Sequence, residues 1–457
     1  MLAASILGVL GLAGVMGALT AKLPARFDPL LIVVAAAVPL GLIALALLVK
    51  YREWVPAVIL IAAAFIPISL PTGTGSRLVD SFLVTLLFSV LWILRMITIE
   101  RRFSLIRHWL NVPLLIFMAL TLWSIGWSTL FRDPLVFVSA SFVIVQAASG
   151  VTNIMLCAAL LMVNNFIHNI RMLKVLAGII LTAGALGLLF RFELVRAPIN
   201  LVNVEGLFTM WVIALSTALV MFVKRWAWYW RVLVGAVGGL YFYWGFILHM
   251  SWLAGWLPGL VALSVLIWQH SRKAVLAVLL AAAIFAALNY SEFEKAFAAE
   301  NEESGHTRMA AWAQNWRITQ DHLLFGTGPA GYAAYYMSYF PTDAMATHSN
   351  YIDILAQNGL VGFVPIVIFF FGLAWTGWRL TRRLKGRGDF LEALANAAFA
   401  GTIACIVAMA FGDWLFPFAY TQTIAGFDYS VYSWIFMGTI LVIERLTQSE
   451  PGAVAHA

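Results

Sequence analysis

The residues best equipped for chemistry are His348-Ser349-Asn350-Tyr351, which close a polar island running from Glu292 to Ala346 and stand where an apolar run begins. His348 therefore falls at or just before the N-terminus of a helix entering an apolar phase. A helix N-terminus carries partial positive charge, which disfavours imidazolium and keeps such a histidine neutral. A neutral imidazole can act as general base toward an alcohol. Three arginines are placed to approach that point. Arg308 opens a helical stretch within the island, while Arg191 and Arg196 end an apolar run and enter a connection that also holds Glu193, Asn200, Asn203 and Glu205. Guanidinium groups match phosphate oxygens two at a time, so two or three of them beside a lipid would hold a diphosphate. Each residue alone has a plainer reading, the histidine as a helix cap or headgroup contact and the arginines as snorkelling or paired with Glu193 and Glu205. The combination is more specific than any member.

The elements that must position these groups follow from composition. The chain is 63% hydrophobic and 11% charged, with mean hydropathy +0.91, against about 25% charged residues in soluble domains. Apolar stretches near the ~20 residues that cross a bilayer recur from end to end. They predict an all-α polytopic membrane protein, a single transmembrane domain over 1–457 with about fourteen spans. The spans run from 2–20 and 29–49 to 351–376, 393–415 and 430–446. The stretch 134–163 is too long for one straight span and is interrupted by Gln146, Ser149-Gly150 and Asn153, so a tilted, broken or partly interfacial element is expected. The first apolar run lacks preceding basic residues and reads as a retained span rather than a cleaved signal.

Residues 291–350 form the one extracytoplasmic loop large enough to fold over the membrane surface. Within it, Thr307 to Gln320 reads as a helix that can lie on the interface, with Met309, Trp312, Ala313 and Trp316 along one face. Gly326-Thr327-Gly328-Pro329-Ala330-Gly331 spells a dinucleotide-binding glycine pattern, but no strand–helix unit surrounds it, and a sharp turn between two surface helices is the better reading. Tyr332, Tyr335, Tyr336, Tyr339 and Phe340 follow as expected interfacial anchors.

Basic residues mark the cytoplasmic side. Most of the 28 Lys and Arg fall in alternate breaks, including Arg101/Arg102/Arg107, Lys224/Arg225/Arg231, Arg272/Lys273 and the cluster Arg379 to Arg387. Both termini are then cytoplasmic and the polar island faces outward. The net charge of +7 is a topology signal rather than a nucleic-acid footprint. Cys157 and Cys405 lie in apolar runs and read as buried, inert thiols. The outward histidines lack metal-ligand spacing, so no metal site is expected. Mid-span charges are scarce, with Asp413 placed near an outer helix end, which argues against an ion-coupled transporter.

An arginine opening a Trp-containing helix, a Gly-x-Gly turn, a His-x-Asn-Tyr group and a following Gly-Leu-x-Gly resemble the O-antigen ligase and polymerase family of bacterial membrane glycosyltransferases. The matching residues are Arg308, Trp312, Trp316, Gly326, Gly328, Gly331, His348, Asn350, Tyr351, Gly359, Leu360 and Gly362, and the resemblance covers about residues 190–375. It implies an enzyme of the bacterial cytoplasmic (inner) membrane, facing outward and without a cofactor. Such an enzyme takes a glycan from undecaprenyl diphosphate and joins it to lipid A core sugars or to another carrier-linked repeat. By resemblance His348 is the catalytic histidine, and Arg308 binds diphosphate with Asn350, Tyr351, Trp312, Gly326 and Gly328 in support. The family often has His-Asn where this chain has His348-Ser349, and a Ser-Arg pair where Ser251 is followed by Trp252. Arg191 or Arg196 would then supply the second cation.

Overall fold

A computed structural model of the chain describes residues 50–66, 69–71, 76–195, 202, 206–249, 253–291, 294, 306–341 and 347–448. The spans expected at 2–20 and 29–49, and Arg196, lie outside the described residues. The chain falls into two compact units, 1–51 and 52–457, and the elements below belong to the second.

In order these are α1 (Val55–Phe65), a hairpin of β1 (Ser69–Pro71) and β2 (Arg77–Val79), α2 (Asp80–Arg95), α3 (Asn111–Leu130), α4 (Phe142–Phe166), α5 (Ile170–Arg191) and α6 (Phe208–Phe222). There follow α7 (Trp228–Phe242), α8 (Leu253–His270), α9 (Arg272–Leu288), α10 (His306–Asp321), α11 (Tyr332–Tyr339), α12 (Asn350–Leu384), α13 (Phe390–Ala408) and α14 (Phe427–Gln448). The strands pair antiparallel with Leu70 opposite Leu78. Eight of the described helical segments are long and apolar enough to cross a membrane, and the protein is an all-α polytopic membrane protein.

Burial orders the bundle. The apolar windows of α14 and α13 are 89% and 78% buried, that of α7 only 17%, so α13 and α14 form the centre and α7 the flank. Around them α6 and α8 pack on α13, α4 packs on α14, and α3 packs on α12. Cys157 and Cys405 are both buried, as their apolar surroundings require.

Several helix edges depart from the sequence reading, among them the end of α12, which runs to Leu384 rather than 376, and two that bear on the site. Residues 131–141 are turns and coil, and α4 then runs unbroken from Phe142. Its polar residues Gln146, Ser149 and Asn153 do not interrupt it because they are turned inward, and Gln146 is bonded at both ends. Gln146 Oε1 accepts from the Ser128 hydroxyl at 2.9 Å, and its Nε2 donates to the Thr327 carbonyl at 3.1 Å. The run read as 393–415 ends as helix at Ala408, and residues 409–423 form an irregular loop that carries Asp413.

Candidate active site

The site is built where α12 breaks. Gly359 has φ 63° and ψ −172° inside this helix, a positive-φ conformation open essentially to glycine alone. The break releases backbone groups that a spanning segment must satisfy internally, and the 323–328 turn does so. Thr327 and Gly328 N–H donate to the Ala356 and Gln357 carbonyls, both at 2.9 Å, and Leu360 N–H donates to the Leu323 carbonyl at 2.8 Å. Contact is close enough that a Cβ on Gly326 would lie 2.4 Å from the Gln357 carbonyl oxygen, and one on Gly359 2.2 Å from that of Leu324. The glycine string is thus a turn between α10 and α11, as expected, and also the clamp on the broken helix.

Above the clamp lies a small cap core. Tyr332, Tyr335 and Tyr336 are buried with Val136, Phe142, Ile318, Ala356 and Phe418, which corrects their reading as headgroup anchors. Tyr332 and Tyr335 find protein partners for their hydroxyls instead. Tyr332 donates to Asp353 Oδ1 at 2.7 Å, and the Tyr335 hydroxyl accepts from the Asp133 N–H at 3.2 Å. Burial, and then the Asp353 carboxylate, push the Tyr332 phenol well above its ordinary range, so it stays a neutral donor. α10 is the expected helix. Ala311, Asn315, Ile318 and Thr319 point inward, while Met309, Trp312 and Trp316 are exposed.

His348 lies between this cap and α12 with φ 48°, strained for a residue with a Cβ. Both neighbours are held. The Thr347 carbonyl accepts from Trp312 Nε1 at 2.7 Å, and the Thr347 hydroxyl donates to Asp353 Oδ1 at 2.5 Å. On the other side the Asn350 N–H donates to the Met409 carbonyl at 2.8 Å. The Asn350 side chain donates to the Phe416 carbonyl at 2.7 Å and accepts from the N–H groups of Leu415 and Phe416 at 3.1 and 3.3 Å. Tyr351 donates from its hydroxyl to the Ile406 carbonyl at 2.7 Å, and Trp434 Nε1 donates to the Leu415 carbonyl at 3.0 Å.

These bonds fix the 409–416 loop against His348 and place Asp413 beside it. His348 Nδ1 is 3.8 Å from Asp413 Oδ1, with the imidazole 40% exposed and the carboxylate 1%. Thr421 donates to the other carboxylate oxygen at 3.1 Å. With Nδ1 toward a buried carboxylate, Nε2 is the atom left to meet a substrate. A histidine beside a buried carboxylate is the arrangement of a general base whose protonated form the carboxylate can stabilise through charge.

Residues 249–367 match the O-antigen ligase family model. That segment, about a quarter of the chain, is similar to the O-antigen ligase family. The comparison with curated proteins gave no match. The family segment supports a membrane glycosyltransferase of ligase or polymerase type. It takes in the glycine turn, His348 and the break at Gly359, lies inside the 190–375 region, and leaves out Arg191, Arg196 and Asp413.

His348, Asn350, Tyr351, Trp312, Gly326 and Gly328 are therefore brought into one cap. Arg308 lies in the first turn of α10, one turn before Trp312. Arg191 ends α5, a helix that packs on α1, α6 and α7, with its guanidinium 3.8 Å from the Trp244 ring centre and 5.1 Å from that of Tyr241. Sequence reasoning noted Asp413 as an isolated charge but gave it no role. A carboxylate in an apolar run was the available signal, and its partner 65 positions earlier was not legible.

Proposed function

We propose that this protein transfers a glycan from undecaprenyl diphosphate to a sugar hydroxyl on an acceptor, lipid A core or similar, at the outer face of the cytoplasmic membrane, both termini being cytoplasmic. The observation that carries the reading is the partly exposed His348 imidazole, held by both neighbours and turned to the buried Asp413, within the segment that matches the O-antigen ligase family.

In the step, His348 Nε2 takes the proton of the acceptor hydroxyl while that oxygen attacks the anomeric carbon from the face opposite the leaving group. The bond from the anomeric carbon to the diphosphate oxygen breaks, and the lipid diphosphate leaves with the electron pair. Asp413 stabilises the resulting imidazolium. Arg308, with a second arginine, meets the charge gathering on the leaving group. The diphosphate supplies the driving force, so no nucleotide is required and arginines suffice as the countercharge.

Purified protein in detergent, given a defined lipid-linked donor and an acceptor and no ion gradient, is expected to join them. A polymerase would lengthen carrier-linked chains, whereas a ligase would cap the acceptor. Vectorial movement of the lipid-linked glycan without a new bond would replace the reading with a transporter.

A further inference from the structure

We infer that a cationic cavity at the end of the bundle opposite His348 binds the phosphate of an anionic phospholipid. α12 begins two residues after His348 and, past its break at Gly359, carries the chain roughly 35 Å from Leu360 to Leu384 at about 1.5 Å per residue. There α6, α8, α12 and α13 converge on a cavity of about 680 Å³ whose lining includes Lys224, Arg272, Arg382 and Lys385. Among the described residues these four cations pair with no carboxylate. The carboxylate in the lining, Glu392, is 4% exposed and is engaged by the backbone N–H groups of Gly386 and Gly388 at 2.8 and 2.6 Å. Its charge is spent on the backbone, and the cavity keeps a cationic surplus. A neighbouring cavity, lined by Arg107, Arg379 and Arg445, is less suited, because Arg445 is already bonded to the carbonyls of Asn164 and Ile167.

The surroundings favour a lipid over a free ion. Trp268 and Trp378 share the lining, and Arg382 lies over the Trp378 ring at 4.5 Å. Four residues after Lys224, Trp228, Tyr229 and Trp230 are 75%, 54% and 50% exposed. Amphipathic rings gathered at one depth mark a headgroup layer, and basic pockets between helices at that depth suit acidic headgroups. A soluble phosphate has no use for such a rim.

Native mass spectrometry of the purified protein with phosphatidylglycerol and phosphatidylcholine of identical chains tests the site. The wild type is expected to hold phosphatidylglycerol about tenfold or more tightly than phosphatidylcholine. Lys224→Gln/Arg272→Gln/Arg382→Gln/Lys385→Gln should abolish that preference, whereas Arg101→Gln/Arg102→Gln should keep it. Equal affinity of the wild type for both lipids overturns the inference, and that arm decides even if the quadruple variant fails to fold. A preference retained by the folded quadruple variant also overturns it. Displacement of phosphatidylglycerol by millimolar inorganic phosphate would assign the cavity to a free anion instead.

Discussion

A histidine at φ 48° is held there by its neighbours, and around His348 these include Trp312, Asp353, Met409 and Phe416. The same bonds set the 3.8 Å approach to Asp413. Asp413→Asn preserves the shape of the carboxylate and removes its charge. It is expected to lower turnover about a hundredfold while leaving the donor KM nearly unchanged, since general-base assistance is worth about 10²–10⁴. Initial rates against donor concentration check this, and an unchanged rate would remove Asp413 from the chemistry. Arg308→Ala is expected to weaken donor use roughly ten- to a hundredfold, the worth of one charge-assisted contact. Neutralising whichever of Arg191 and Arg196 supplies the second cation should cost as much, whereas full activity in Arg191→Ala/Arg196→Ala would place that cation elsewhere. His348 was legible because it opens an apolar run. Asp413 lacked a legible role because the edge of its helix was drawn seven residues too late.

At the level of elements, the break in α12 and the turn that fills it act as one unit. Gly359→Ala must place a Cβ 2.2 Å from the Leu324 carbonyl oxygen in a positive-φ backbone. It should lower the melting temperature and the transfer rate together, as should Gly326→Ala. A melting curve matching wild type in both variants would contradict the clamp. Asn350→Ala leaves buried backbone groups of Leu415 and Phe416 without their side-chain partner, a loss of about 2–3 kcal/mol that chemical denaturation would register. Helix positions were legible because apolar run length is a strong signal. The inward tyrosines were not, because partners such as Val136, Asp353 and Ala356 lie in apolar runs that hydropathy alone assigns to the membrane.

Among the described residues of 52–457, a cationic cavity and the candidate active site lie toward opposite ends of α12. Cations far apart in sequence, such as Lys224, Arg272 and Arg382, meet at one end, while His348 and the cap occupy the other. Because both native cysteines are buried, single reporters can be read without interference. In spheroplasts an impermeant maleimide is expected to label Met337→Cys in α11 and to spare Arg225→Cys until the membrane is opened, and the reverse pattern would invert the topology. The most direct measurement is the initial rate of bond formation by purified His348→Ala with an undecaprenyl-diphosphate-linked glycan and an acceptor, beside wild type of equal melting temperature. Transfer should fall to background in the variant, and turnover near that of wild type would contradict a catalytic His348.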